Sequence, residues 1–222
     1  MFETRQHQDV TVAIWNDGEN RLHAASVAAW HTLLDDLEAR PIDTPAALVV
    51  TGTGKFFSNG LDLEWLSAHP DEGMEMLHSL NRLFGRLLLA PWYCVAALNG
   101  HTFAAGAMIA CAFDHVVMRT QRGYWCLPEA DLGLPLTDEM FAVVSTRLHG
   151  PTLSEAINTA RRYSSEEALA ERIVDQICEI ERLEEVAIQR AQVMATKSRK
   201  VIAKHKVQIY RVQAARCGVD PS

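Results

Sequence analysis

The residues that could carry chemistry in this sequence lie in three short segments. They are the loop sequence KFFSNGLDL (55–63), the small-residue run AAG (104–106), and LPEADLGLPL (127–136) with the carboxylate Glu129. The second segment leads into a predicted helix, whose first N–H groups lack helical partners and create a partial positive potential. Because its side chains are small, a ligand can approach that backbone closely, and such donors can stabilise a developing oxyanion.

Other catalytic signatures do not fit. TGTGK (51–55) has a lysine after glycine, but a phosphate-binding loop needs Gly and Ser or Thr where this sequence has Val49 and Phe56. The motifs HExxH and GxSxG do not occur, and the nine histidines lack the spacing of metal ligands. We therefore expect neither a metal site nor a serine hydrolase site.

The composition is ordinary for a soluble globular protein: of 222 residues, 48% are hydrophobic and 22% are charged. The formal net charge of −7 argues against nucleic acid as a partner. No apolar run is long enough for a membrane span, and the first ten residues do not resemble a secretory signal. The five cysteines are odd in number and form no CxxC, which favours a reducing, cytoplasmic location.

Hydrophobic patterns predict alternating strands and helices over the first two thirds of the chain. Strands are predicted at 10–15, 46–52, 92–98 and 115–120, and helices at 26–38, 71–89 and 104–113. The segment 52–62 between them is predicted to be an irregular loop. The class is therefore α/β.

The last third of the sequence is predicted to be mostly helical. Pro151 suits a helix start, and SSEE (164–167) is typical of another helix N-terminus. A short strand at 173–178 is expected before one long final helix at 182–216. The simplest organisation is a core of residues 1–180 followed by a helical C-terminal portion of residues 181–222.

Three segments in register resemble the crotonase (enoyl-CoA hydratase/isomerase) superfamily. They are ALVVTGTGKFFSNGLDLEWL (47–66), PWYCVAALNGHTFAAGAMIACAFDHVVM (91–118) and LPEADLGLPL (127–136). The resemblance covers roughly residues 8–180, and its motifs are most similar to those of single-chain Δ3,Δ2-enoyl-CoA isomerases. It implies a crotonase-like spiral core of ββα units.

In this family two backbone N–H groups bind the thioester oxygen as it becomes negatively charged. The resemblance assigns these oxyanion-hole donors to Leu61 and to Ala105, the middle residue of the small run. Asn59, Gly60, Leu61, Ala105 and Met108 are then expected to bind the substrate. The family commonly has glycine throughout the small run, but the alanines found here keep their N–H groups.

The resemblance also assigns the catalytic role to Glu129, which matches the one carboxylate of the isomerase subgroup. A single glutamate can remove a proton from C2 of a 3-enoyl thioester and return it at C4, through a dienolate held by the oxyanion hole. An apolar pocket that includes Met108 would raise the pKa of this carboxyl group and make it a better base.

Two other functions stay open at this point. Hydratases of the family use a second carboxylate at the position of Met108, so a 2-enoyl-CoA hydratase would need Asp138 or Glu139 as a substitute. A non-catalytic acyl-CoA-binding protein could also keep the fold, since one fold hosts many functions.

The resemblance implies a coenzyme A thioester as the substrate, no permanently bound cofactor, and assembly as a homotrimer or hexamer. Residues 186–219 contain no acidic residue, which is a marked asymmetry in an acidic protein. Basic side chains there could bind the phosphates of coenzyme A. These side chains are Arg190, Lys197, Arg199, Lys200, Lys204, Lys206, Arg211 and Arg216.

Overall fold

The computed structural model describes residues 1–220, which form nine strands and ten helices. The strands are β1 (Phe2–His7), β2 (Val10–Trp15), β3 (Ala47–Gly52), β4 (Phe56–Ser58), β5 (Tyr93–Leu98), β6 (His101–Phe103), β7 (His115–Arg119), β8 (Trp125–Cys126) and β9 (Gln176–Cys178). The helices are α1 (Ala24–Glu38), α2 (Leu63–Ala68), α3 (Pro70–Leu89), α4 (Ala105–Cys111), α5 (Glu129–Leu132), α6 (Asp138–Val144), α7 (Gly150–Thr159), α8 (Ser165–Ala170), α9 (Ile180–Ala195) and α10 (Arg199–Arg216).

A six-stranded sheet with the order β1-β2-β3-β5-β7-β9 forms the frame of the molecule. Its strands pair in parallel except for β1, which runs antiparallel to β2 at the edge. All six residues of β3 are buried, as expected for a parallel strand covered on both faces. That burial on both sides explains why β3 was recognisable as a continuous apolar run.

A second, smaller sheet contains the short parallel strands β4, β6 and β8. Its first strand lies within 52–62, so the prediction of an irregular loop there was wrong. A strand of three residues is too short to show a periodic pattern, and tertiary contacts decide its conformation. The side-chain amide of Asn20 holds it by donating to the Phe57 carbonyl oxygen at 3.0 Å.

Most other predicted elements are confirmed within a few residues, but six short elements were missed: β1, β6, β8, α2, α5 and α6. Strand β1 is largely exposed and has no alternating pattern, and α2 is a short helix with no buried residue. The predicted helix start at Ser164 is confirmed, since its hydroxyl accepts the N–H of Glu167 and its own N–H donates to the Glu167 carboxylate.

The C-terminal portion consists of two helices rather than the one that was predicted. The chain turns at residues 196–198, where Ser198 is extended. No Gly or Pro marks this turn. Helix α9 covers one face of the large sheet, whereas α10 crosses to pack on α3 and α6. The division into a core of residues 1–180 and a C-terminal portion stays a prediction.

Two basic residues of α10 are buried and contact other residues of the protein rather than solvent. Lys206 is 4% exposed, and its Nζ donates to Asp114 Oδ2 at 2.6 Å and to the Trp92 carbonyl oxygen at 3.0 Å. Arg199 is 3% exposed and donates to the carbonyl oxygens of Pro41, Thr44 and Pro91. The hypothesis that the basic residues of 186–219 serve coenzyme A is therefore wrong for these two.

The buried pair of Lys206 and Asp114 gives a test of the fold. Lys206→Met keeps the length of the side chain but leaves the Asp114 carboxylate without its partner cation. We expect the free energy of unfolding to fall by about 3–5 kcal/mol, as measured by urea denaturation. Lys200→Met, which removes an exposed pair with Asp43, should cost less than about 1 kcal/mol. Equal losses in the two variants would contradict a buried-pair role for Lys206.

Candidate active site

Three of the predicted site residues follow the carboxyl ends of the three strands in the small sheet. Leu61 comes three residues after β4, Ala105 two residues after β6, and Glu129 three residues after β8. The strands are parallel neighbours in the order β4-β6-β8, so these ends meet at one edge. Ligands of open α/β proteins bind outside the carboxyl ends of parallel strands. The topology therefore brings the three residues to the edge where a ligand is expected.

The Gly60–Leu61 peptide lies directly against the start of α4. A Cβ added to Gly60 would lie 2.6 Å from the Ala104 Cβ and 3.3 Å from the Ala105 nitrogen. Gly60 also has a φ of +81°, which disfavours any larger residue. Within residues 1–220, the N–H groups of Leu61 and Ala105 have no protein acceptor. Both N–H groups are thus free to donate to a ligand.

The loop that carries Leu61 is fixed from both sides. Leu22 donates its N–H to the Gly60 carbonyl oxygen at 2.8 Å and accepts the N–H of Asp62 at 2.9 Å. The Asp62 carboxylate then caps α2 by accepting the N–H of Trp65 at 3.0 Å. The position of the Leu61 N–H is therefore set before any ligand binds, which is the property that makes an oxyanion donor effective.

Ala104 has a strained backbone conformation, with φ of 50° and ψ of −127°. This region favours glycine, and a non-glycine residue held there costs on the order of 1–3 kcal/mol. The strain is maintained because the Ala104 N–H donates to the Cys126 carbonyl oxygen at 3.1 Å while its own carbonyl accepts the Met108 N–H. This turn sets the direction in which α4 presents its first N–H group.

Glu129 is a buried acid at the start of α5. The residue is 9% exposed, and its Oε2 has no hydrogen-bond partner within residues 1–220. Burial raises the pKa of this carboxyl group to about 7, because the charged form loses hydration without gaining a countercharge. A carboxyl group with such a pKa can both accept and return a proton near neutral pH.

Glu129 lines a cleft of about 670 Å³ that lies between α7 and the chain from α5 to α6. Asp138 lines the same cleft, whereas Glu139 lies at a different pocket beside Arg216. Of the two substitute carboxylates considered from the sequence, only Asp138 thus shares a cleft with Glu129. Leu61 and Ala105 lie outside the lining of this cleft.

Two predicted substrate-binding residues have structural contacts of their own. Met108 is 1% exposed and belongs to the main hydrophobic core. The side-chain amide of Asn59 donates to Glu19 Oε2 at 2.8 Å, and its backbone N–H donates to the Glu19 carbonyl oxygen at 3.0 Å. Direct contact of Met108 and Asn59 with substrate stays a prediction.

Sequence reasoning missed the apolar wall of the cleft. Its side chains come from the α5–α6 segment and from α7, which are distant from the recognised motifs. A signal was present, because Leu153 and Ile157 are four residues apart on a helix with many polar residues, which places them on one face. The apolar lining consists of Ala130, Leu134, Pro135, Leu136, Phe141, Leu153 and Ile157.

The sequence model of one protein family, described as enoyl-CoA hydratase/isomerase, matches residues 18–216. The chain belongs to this family. Enoyl-CoA delta isomerase 3 of Arabidopsis thaliana is 34% identical over 169 residues, which cover 74% of this chain and 71% of that protein. A putative enoyl-CoA hydratase of Thermus thermophilus is 36% identical over 177 residues, which cover 76% and 67% of the two chains.

Solved structures of the family confirm the crotonase-like fold. The apo structure of an enoyl-CoA isomerase of Mycobacterium tuberculosis superimposes with a TM-score of 0.89 at 26% identity, covering 98% of this chain and 94% of that one. The prediction that this chain is an enzyme of the enoyl-CoA hydratase/isomerase family is therefore confirmed. Within residues 1–220, no helix is long and apolar enough to cross a membrane.

The raised pKa of Glu129 predicts how stability depends on pH. The folded protein holds this proton more tightly than the unfolded chain, so folding stability falls as pH rises from about 4.5 to about 7. Glu129→Gln removes this loss, because the amide is never ionised. By urea denaturation, the variant should be more stable than the parent at pH 8, by up to about 3 kcal/mol.

At pH 4.5 the gap between Glu129→Gln and the parent should nearly vanish. Asp131→Asn, an exposed change on the same short helix, should show no comparable gap at either pH. A Glu129→Gln variant that is no more stable than the parent at pH 8 would show that the carboxylate is well solvated in the folded protein.

Proposed function

We propose that this enzyme converts 3-enoyl-CoA to 2-enoyl-CoA, with Glu129 as the group that moves the proton. One observation carries the proposal: a buried carboxyl group faces an apolar cleft, its Oε2 has no hydrogen-bond partner among residues 1–220, and burial raises its pKa to about 7. An acid with that environment is matched to proton transfer from carbon near neutral pH.

The reaction needs one base and one stabilised oxyanion. The Glu129 carboxylate takes a proton from C2, and the electron pair of that C–H bond moves onto the thioester oxygen to give a dienolate. The N–H groups of Leu61 and Ala105 donate to this oxygen. The Glu129 carboxyl group then returns the proton at C4, and the double bond ends between C2 and C3.

The general base and the oxyanion donors each contribute to the rate of the reaction. A positioned general base contributes typically about 10²–10⁴-fold to the rate. Each oxyanion donor is worth about 10²–10³-fold when it is pre-oriented in a site that excludes water. The fixed loop around Leu61 and the strained turn at Ala104 support this pre-orientation. Relatives named as enoyl-CoA delta isomerases support the same reaction.

The proposal also covers the ligand, the assembly and the location. The ligand is a coenzyme A thioester, with no permanently bound cofactor, and the exposed cations of α9 and α10 are available to its phosphates. Val193, Val201, Ile209 and Val212 are 48–62% exposed, which supports burial of these helices in a homotrimer or hexamer. Five unpaired cysteines support a cytoplasmic location. Against it, enoyl-CoA delta isomerases 1 and 2 of Arabidopsis thaliana are named as peroxisomal.

Glu129→Gln tests the proposed role directly, because it keeps size and shape but removes the proton acceptor. Turnover of a 3-enoyl-CoA should fall by about 10²-fold or more, with little change in affinity for the thioester. The measurement is steady-state kinetics together with binding of a saturated acyl-CoA. Asp131→Asn should leave both quantities unchanged. A folded Glu129→Gln enzyme with near-normal turnover would show that another residue is the base.

A second candidate function is hydration of 2-enoyl-CoA, which Asp138 favours because it lines the same cleft as Glu129. Against this function, Met108 occupies the position expected for a hydratase carboxylate and is buried in the core. Asp138 is also exposed and belongs to the first turn of α6, a place where carboxylates commonly serve the helix dipole.

Kinetics with two substrates distinguish isomerisation from hydration. The enzyme should isomerise a 3-enoyl-CoA at least about 10²-fold faster than it hydrates the matching 2-enoyl-CoA, because one positioned carboxylate suffices for the first reaction only. Absorbance of the conjugated thioester follows both reactions. Fast hydration that is lost in Asp138→Asn would establish the second function and overturn the first.

A further inference from the structure

Ser58 is the last residue of β4, and its side chain is buried where the loop that carries Leu61 begins. The residue is 0% exposed. Its hydroxyl donates to the Asn20 carbonyl oxygen at 2.7 Å and accepts the Gly60 N–H at 3.2 Å. Because a hydroxyl has one proton, donation to Asn20 leaves the lone pairs of the oxygen for Gly60. The Ser58 hydroxyl therefore connects the loop to a carbonyl group on another segment.

The residue that accepts the Ser58 hydroxyl is itself held in place. Asn20 is 0% exposed, and its backbone has a φ of 53°. Its side-chain amide donates to the carbonyl oxygens of Trp15, at the end of β2, and of Phe57, each at 3.0 Å. The Asn20 carbonyl oxygen is thus fixed relative to the large sheet, and the Ser58 hydroxyl transmits that position to Gly60.

Gly60 needs such a restraint. A side chain there would collide with Ala104, and glycine has the most flexible backbone of all residues. Two hydrogen bonds restrict it, because Ser58 accepts its N–H and the Leu22 N–H donates to its carbonyl oxygen at 2.8 Å. The Leu61 N–H belongs to the same planar peptide unit as that carbonyl group. Without the Ser58 hydroxyl, Gly60 would be held only at its carbonyl end.

Ser58 also contacts the start of α4. A Cβ added to Gly106 would lie 2.5 Å from the Ser58 Cβ and 2.9 Å from the Ser58 carbonyl oxygen. Gly106 directly follows Ala105, so the backbone that carries the second N–H group packs against Ser58. One buried serine is therefore hydrogen-bonded to the first of the two segments and packed against the second.

We propose that Ser58 is a positioning residue, which acts on the reaction through the N–H groups of Leu61 and Ala105. Its complete burial leaves no surface for the substrate, so it acts without direct contact. The hydroxyl fixes the Gly60–Leu61 peptide, and the Cβ limits how closely α4 approaches β4. The inference rests on the oxyanion hole of the proposed function and adds a residue that lies behind it.

Ser58→Ala tests this role, because it removes the hydroxyl and keeps the Cβ against Gly106. The Gly60 N–H then loses its acceptor. Turnover (kcat) of a 3-enoyl-CoA should fall by about tenfold, less than the cost of about 10²–10³-fold for removing an oxyanion donor outright. Affinity for a saturated acyl-CoA should change by less than about twofold, since these donors act mainly on the transition state. Ser58→Cys, whose thiol is a weaker hydrogen-bonding group, should give an intermediate kcat.

The infrared carbonyl band of a bound acyl-CoA gives a readout that needs no turnover. N–H donors polarise a thioester carbonyl group and move its band to lower wavenumber, so the displacement reports on the donors themselves. With an isotope-labelled carbonyl in a saturated acyl-CoA, the displacement should be smaller in Ser58→Ala than in the parent enzyme. Absence of isomerase turnover in the parent would remove the proposed function, whereas the carbonyl band would still test the role of Ser58.

Thr102→Val is the matched control. Thr102 is also 0% exposed and lies in β6 of the same small sheet, but its hydroxyl donates to the Gly100 carbonyl oxygen at 3.2 Å. This variant should keep the kcat and the carbonyl band of the parent. Equal losses of kcat in Thr102→Val and Ser58→Ala, or a parent-like carbonyl band in folded Ser58→Ala, would overturn the inference. If Ser58→Ala does not fold, Ser58→Cys is measured with the same two readouts.

Discussion

The close approach of the Gly60 backbone to Ala104 is the contact on which the candidate site depends. Only a residue without a side chain fits at position 60, because a Cβ there would collide with the Ala104 Cβ. The small sheet brings these segments together, and Asn20 ties that sheet to the large one by donating to carbonyl oxygens of Trp15 and Phe57. The positions of the Leu61 and Ala105 N–H groups are therefore set by the packing of the backbone segments that carry them.

The site contains features that reduce folding stability, and the remainder of the fold has to offset them. Glu129 is buried, with no hydrogen-bond partner for its Oε2 among residues 1–220, and Ala104 is held in a conformation that favours glycine. The large sheet supplies the opposite contribution, since β3 is buried along its whole length and α9 covers one face. Such a distribution of strain and stability is typical of enzymes, whose sites are pre-organised by a rigid scaffold.

The basic C-terminal helices show how charge in a sequence can mislead. The absence of acids over 186–219 indicated a surface for anions, but Lys206 is paired with Asp114 and Arg199 binds backbone carbonyl oxygens. Both residues fix α10 against the core. Some basic residues of a helix are solvated, and others pair with a carboxylate that lies far away in the sequence. Composition does not distinguish the two kinds. Among the basic residues of 186–219, Lys206 and Arg199 are thus committed to contacts within the fold.

The sequence alone determined the family, the order of the main elements and the three segments that carry Leu61, Ala105 and Glu129. It could do so because buried parallel strands have a distinctive apolar run and because the motifs keep a fixed order. The tertiary structure decided what local pattern does not encode: the strand within 52–62, the break at 196–198, and the cleft between α7 and the α5–α6 segment. It also decided the pKa of Glu129, since burial is produced by packing between distant parts of the chain.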